Sequence, residues 1–195
     1  MRKTVRLLKK KPKMKTILVI LIVLLFIPEY YSQNIYKDTT CSYTVTLPQG
    51  WTIKKIEYPF YPTKCAMGLK YPGWEKIASD TIFDVGKYAI YISIYDGSIY
   101  NDSSDYGFEY KDSTWLIDGR AGEQNEGKFV KTKYWDAIMG ESEVGTYLKH
   151  GGYFSEGFAY VAILDNRKGK IMSIVSDSKF QDKTIFDSIV CSIRF

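Results

Sequence analysis

The stretch from Gly157 to Phe195 constrains the rest of the chain most, because it reads as strand, turn, strand and helix in immediate succession. Phe158-Ala-Tyr-Val-Ala-Ile-Leu164 is a continuous apolar run of strand length, rich in β-branched and aromatic residues. Asp165 to Lys170 is a polar loop whose Gly169 can supply a positive φ, and Ile171-Met-Ser-Ile-Val175 returns as a second strand. A loop this short joins antiparallel neighbours. Ser178-Lys-Phe-Gln181 matches a capping box, and Ile185, Phe186, Ile189, Val190 and Ile193 then recur at helical spacing. One face of that helix is apolar and requires a sheet to cover. A lone hairpin is too small for the purpose, so earlier strands must join it.

The earlier chain supplies them. Tyr43, Val45 and Leu47 alternate with Ser42, Thr44 and Thr46 as a half-buried strand, which Leu47-Pro-Gln-Gly-Trp51 ends in a turn. Asn34–Thr40 reads as a lead-in segment. Residues 55–74 are interrupted by Pro59, Pro62, Pro72, Gly68 and Gly73 and read as loop with room for one short strand. Trp74–Ser79 suits a helical turn. Tyr88–Tyr95 is apolar or aromatic on both faces, which predicts a central strand covered on both sides. Asp96–Asp112 is polar loop. Thr114–Asp118, Lys128–Tyr134 and Val144–Leu148 are further strands. These elements predict an α+β domain with a central antiparallel sheet flanked by helices.

Ahead of the domain, Ile17–Ile27 is an unbroken run of eleven apolar residues behind a basic segment and before Pro28. That is the pattern of an n-region and h-region, too short for a permanent span of about 20 residues. Residues 1–32 are therefore read as a signal peptide, with a short uncleaved N-terminal anchor as the alternative, and residues 33–195 as a single α+β domain. Met14 offers a second start before the same apolar core. On either reading the domain is exported, to the periplasm or the outside or held at the membrane by its N-terminus. The formal charge of +5 belongs to this leader: residues 1–32 hold eight of the 27 Lys and Arg and one of the 22 Asp and Glu, leaving 19 bases against 21 acids. The domain thus has a net charge of −2, and a nucleic-acid role has no support.

The strand into Leu47-Pro48-Gln49-Gly50-Trp51, the Ile117-Asp118-Gly119 turn and the closing helix into Ser192-Ile193-Arg194-Phe195 resemble the PsbP-like family of small α/β/α sandwich domains. These motifs are structural, and none is a catalytic signature. The resemblance implies a central antiparallel sheet between helices. It also implies a docking or assembly role, since members of that family bind larger partners without a shared active site.

The motifs that suggest chemistry fail on inspection. Gly122-Glu-Gln-Asn-Glu-Gly127-Lys128 has the spacing of a phosphate loop, but Phe129 stands where a hydroxyl should hold magnesium and Glu123 and Glu126 repel phosphate. Asn101, Ser103, Asp105 and Asp112 fall at calcium-loop positions, but Tyr106 replaces the glycine of the sharp turn. His150 is the one histidine, in the turn Lys149-His150-Gly151-Gly152, and no nucleophile-elbow sequence accompanies it. Three cysteines, Cys41, Cys65 and Cys191, allow three pairings. A Cys41–Cys65 bond closes a loop of about 25 residues, and Cys191 reads as a small buried filler. Trp51, Trp74, Trp115 and Trp135 are core by default, with one of them as an exposed anchor the alternative.

The sequence therefore predicts a non-catalytic binding or assembly domain acting on a protein or envelope partner. It predicts no cofactor, no metal and no nucleic acid, and membrane contact only through the N-terminal segment. The candidate binding residues are Tyr58, Phe60 and Tyr61, clustered in a proline-braced loop where aromatic side chains are held at low entropic cost. A hydrolase using His150 and a purely structural envelope component are the competing readings.

Overall fold

The structure, a computed structural model, describes residues 34–56, 65–77, 87–102, 107–118, 124–147 and 153–195. In chain order the strands are β1 (Asn34–Asp38), β2 (Tyr43–Leu47), β3 (Thr52–Lys55), β4 (Ala66–Lys70), β5 (Ile90–Asp96), β6 (Phe108–Lys111), β7 (Thr114–Asp118), β8 (Gln124–Lys131), β9 (Asp136–Tyr147), β10 (Tyr153–Asp165) and β11 (Lys170–Ser176). The helices are α1 (Ile99–Asp102) and α2 (Lys183–Ser192), with a 3-10 turn at Trp74–Lys76. The architecture is α+β and dominated by its sheet.

The β10–β11 hairpin sits in the middle. Nine strands form one sheet in the order β3-β4-β5-β11-β10-β9-β8-β7-β6, every pair antiparallel, and β1 and β2 pair separately. Val161 lies opposite Val175 and Asp165 opposite Ile171. The loop between them closes on Asn166, whose Oδ1 accepts from the backbone N–H of Lys168 at 2.8 Å and of Lys170 at 3.1 Å. β5 pairs with both β4 and β11, so the expected central strand is in place, beginning at Ile90.

Alternation then builds two cores. On one face Leu69, Ile92, Met172, Ile174, Ala162 and Leu164 meet the β1–β2 hairpin and Phe186, Ile189, Val190 and Ile193 at the chain's end. On the other, Ile138, Val161, Ile163 and Ile171 pack with Phe108, Trp115 and Ile117 and with Ile99 of α1. Gly140 is needed here, because a Cβ on it would lie 2.1 Å from Cδ1 of Ile117. All four tryptophans are buried, so none is an exposed anchor.

The last residues lock the first layer. Thr44 and Arg194 exchange backbone hydrogen bonds of 2.7 and 3.0 Å, the Ser192 hydroxyl accepts from Thr46 N–H at 2.9 Å, and Trp135 Nε1 donates to Ile193 O at 3.1 Å. A disulfide joins Cys41, in the β1–β2 turn, to Cys65 at the start of β4, with Cα atoms 5.9 Å apart.

Several local expectations need correction. The helix begins at Asp182, whose carboxylate caps it by accepting from Ile185 N–H at 2.9 Å. Ser178 does not cap it: its backbone carbonyl accepts from Gln181 Nε2 at 2.6 Å within a turn that precedes the helix. Cys191 is an exposed free thiol, not a core filler, because one helical step of about 100° past buried Val190 turns it outward. Asn34–Asp38 is a strand, and the polar 96–112 stretch contains both α1 and β6.

Candidate functional site: an aromatic groove at the N-terminus of the last helix

Three segments distant in sequence bring aromatic rings to one place. Trp51 leaves the Pro48–Trp51 turn, where its N–H donates to Pro48 O at 3.2 Å and Gly50 takes φ 80°. Tyr71 follows β4 and precedes a second turn, in which Gly73 has φ 89° and Trp74 N–H donates to Tyr71 O at 3.1 Å. Phe180 lies between β11 and α2, held by its N–H to Asp177 O at 3.0 Å. The Trp51 and Tyr71 rings are 5.4 Å apart, and Phe180 meets Trp51 edge-on at 5.8 Å. Trp74 packs edge-on beneath Tyr71 at 5.6 Å, and Tyr160 meets Phe180 edge-on at 6.4 Å. These are favoured aromatic geometries, so the cluster is preorganised.

Trp51, Tyr71, Phe180 and Ile185 line a surface groove of about 700 Å³ whose other walls are Lys179, Gln181, Asp182, Lys183 and Thr184. That volume suits a side chain cluster or a small ligand. Two cations stand at it. Lys179 Nζ donates to Ile77 O at 3.5 Å; Lys183 pairs with Asp187, one helical turn on, at 2.9 Å, with its Nζ 5.8 Å from the Tyr160 ring. Asp182 is committed to the helix cap. Burial raises the Tyr71 phenol above its ordinary value, so it stays protonated and can donate a hydrogen bond. The lining thus offers an apolar floor, a phenol, a side-chain amide and two ammonium groups.

The sequence-based candidates Tyr58, Phe60 and Tyr61 lie outside the described residues, as does His150. Of the calcium-loop positions, Asn101 is in α1 and Asp112 in the β6–β7 turn at φ 50°, while Ser103 and Asp105 lie outside. Among the described residues no group of three His, Cys, Asp or Glu side chains could hold a metal ion. Gln124–Lys128 of the phosphate-loop spacing belongs to β8, with Gly127 opposite Trp115 in the sheet. Sequence reasoning gave Trp51 as core by default, with an exposed anchor among the four tryptophans as the alternative, and did not single out Tyr71, Lys179 or Lys183. The available signal was the Tyr71-Pro-Gly-Trp74 turn, which presents two aromatics about a tight bend.

No protein-family model matches the chain, and no curated protein matches it in sequence. Among solved structures it is similar to the solution structure of cyanobacterial PsbP from Synechocystis sp. PCC 6803. That likeness has 14% identity and a TM-score of 0.46, over 84% of this chain and 92% of that one. It is also similar to a crystal structure from Bacteroides thetaiotaomicron VPI-5482, at 11% identity and a TM-score of 0.42 over 78% of this chain, and spans 44% of that chain. Both are weak likenesses of fold, and neither bears on ligands. Among the described residues no helix is long and apolar enough to cross a membrane.

Proposed function

We propose that this chain is an exported, non-catalytic binding or assembly domain that holds a protein partner in the envelope or outside the cell through the groove at the start of α2. The observation that carries the reading is the convergence of Trp51, Tyr71 and Phe180 in one groove whose lining also includes Lys179 and Lys183. The occupant that fits is a protein segment presenting an apolar or aromatic side chain next to a carboxylate. The ring goes to the aromatic floor, where buried aromatic contacts supply most of the energy of such interfaces. The carboxylate goes to the ammonium groups. The Lys183–Asp187 pair is exposed, and pairs of that kind are held so weakly that a ligand carboxylate can replace one partner. The Cys41–Cys65 bond supports export, since such bonds persist in oxidising compartments. The apolar run Ile17–Ile27 supplies the route.

The test is cross-linking of the full-length chain in cell-envelope and extracellular extract, run beside two variants. K179E/K183E reverses the charge at the groove, and Y58A/F60A/Y61A removes the three aromatic side chains of the proline-flanked segment. The reading expects one partner band with the parent chain, lost in K179E/K183E while the melting midpoint is kept. A band equally strong in K179E/K183E rules out the groove. A turnover abolished by His150→Ala with the fold intact would replace the binding reading by a hydrolase.

A further inference from the structure

We infer that the β6 edge of the sheet is a self-association surface, and that its occupant is β6 of a second copy of this chain, antiparallel and centred on Tyr110. This inference is independent of the groove. Among the described strands β6 is the last of the sheet, hydrogen-bonded to β7 alone. Lys111 and Thr114 flank a two-residue turn, Asp112 and Ser113, both at positive φ (50° and 67°). In such a hairpin the flanking pair exchanges both backbone hydrogen bonds, and so does every second pair beyond it. Lys111 and Glu109 therefore turn their backbone groups toward β7, and Tyr110 and Phe108 turn theirs outward. A two-fold axis through Tyr110 would satisfy its outward N–H and C=O with the same groups of the second copy.

The side chains select the same axis. Centring on Tyr110 sets Glu109 opposite Lys111 of the second copy, and Lys111 opposite its Glu109. Centring on Glu109 or on Lys111 would set like charges face to face, which destabilises a strand pair. Tyr110 is 59% exposed and lies 5.0 Å from the Trp115 ring. Phe129 (40% exposed) and Tyr100 (62%) surround the same tryptophan at 6.5 Å each. An exposed aromatic patch beside an open edge is a surface that association covers. The opposite edge, β3, is guarded: it carries Lys54 and Lys55 and no acid, so a second copy there adds only positive charge.

Sedimentation velocity of the full-length chain in mild detergent, over a series of protein concentrations, tests this. The parent chain should form a concentration-dependent dimer. E109K and K111E should each weaken it on the order of tenfold, since each converts two attractive pairs into repulsive ones. The double swap E109K/K111E should restore it to within about threefold of the parent. Association through the apolar N-terminal run would be the same in all four chains. As a second measurement, Tyr110→Cys in a Cys191→Ser background should give a cross-linked dimer under added oxidant. Opposed Cα atoms of such a hydrogen-bonded pair stand about 5.5 Å apart, within disulfide reach. A monomeric parent chain, single variants that dimerise like the parent, or a double swap that fails to restore the dimer would each overturn the inference, as would absence of the Tyr110→Cys cross-link.

Discussion

Asp136 shows what a single buried charge requires. It is 4% exposed at the start of β9, and Arg167 satisfies it with both Nη2 and Nε, the latter at 3.0 Å. Arg167 reaches it from a left-handed backbone at φ 58°, which its own N–H to Asp165 Oδ1 at 2.6 Å holds in place. Asp165 in turn accepts from the Ser98 hydroxyl at 2.8 Å and from Ile99 N–H at 3.1 Å, so one network ties the β10–β11 loop to α1. The Arg167 guanidinium, against the opposing effect of burial, holds the Asp136 carboxyl below its ordinary value. A depressed carboxyl stabilises the fold above its unfolded pKa, about 3.9, and that contribution is lost as pH falls through the folded value. Calorimetry from pH 7 to pH 2 should therefore show a melting midpoint that drops in acid. Asp136→Asn should be less stable at pH 7 and show a shallower acid drop. Identical acid limbs in the two proteins would mean that the pair does not set the acid response.

At the scale of elements, the Cys41–Cys65 bond ties the β1–β2 hairpin to β4 of the large sheet. It closes a loop of about 25 residues, for which the chain-entropy argument gives on the order of 3 kcal/mol. Urea unfolding of Cys41→Ser/Cys65→Ser should show that loss in full, and a loss under about 1 kcal/mol would mean the core alone holds the hairpin. Which elements could be read beforehand follows from periodicity. The β10–β11 hairpin, β2, β5 and the apolar face of α2 were legible because one or both sides of each are buried and the pattern repeats. β9 was seen only in part. Its residues from Gly140 to Glu143 are small or polar where the strand is only partly covered, and the alternation fades. β1 and β6 were missed for the same reason, since most of their side chains face solvent. The groove was hidden differently. Trp51, Tyr71 and Phe180 are far apart along the chain, and Lys179 and Lys183 look like ordinary solvated charges until the fold sets them beside the rings.

For the whole molecule, the sheet order predicts a gradient of protection. Val161–Asp165 of β10, with β11 and β5, are paired on both sides and packed in the two cores, whereas β3 and β6 end the described sheet. Native-state hydrogen exchange should find the slowest amides in the first three, opening only with global unfolding, and fast exchange in β3. Uniform protection across the sheet would contradict the single central hinge of stability that the topology implies.

That order also sets a timetable. The strand on which the two halves of the sheet meet is nearly the last to be made: the β3-β4-β5 half gains its inner neighbour only when residues 170–176 exist, and the backbone bonds between Thr44 and Arg194 and the Ser192–Thr46 contact come later still. A growing chain that stops short of Lys170 has two half-sheets and nothing to join them. Contacts this remote along the polymer form slowly, so the two halves wait for the C-terminal segment and the joined sheet is a late product of synthesis.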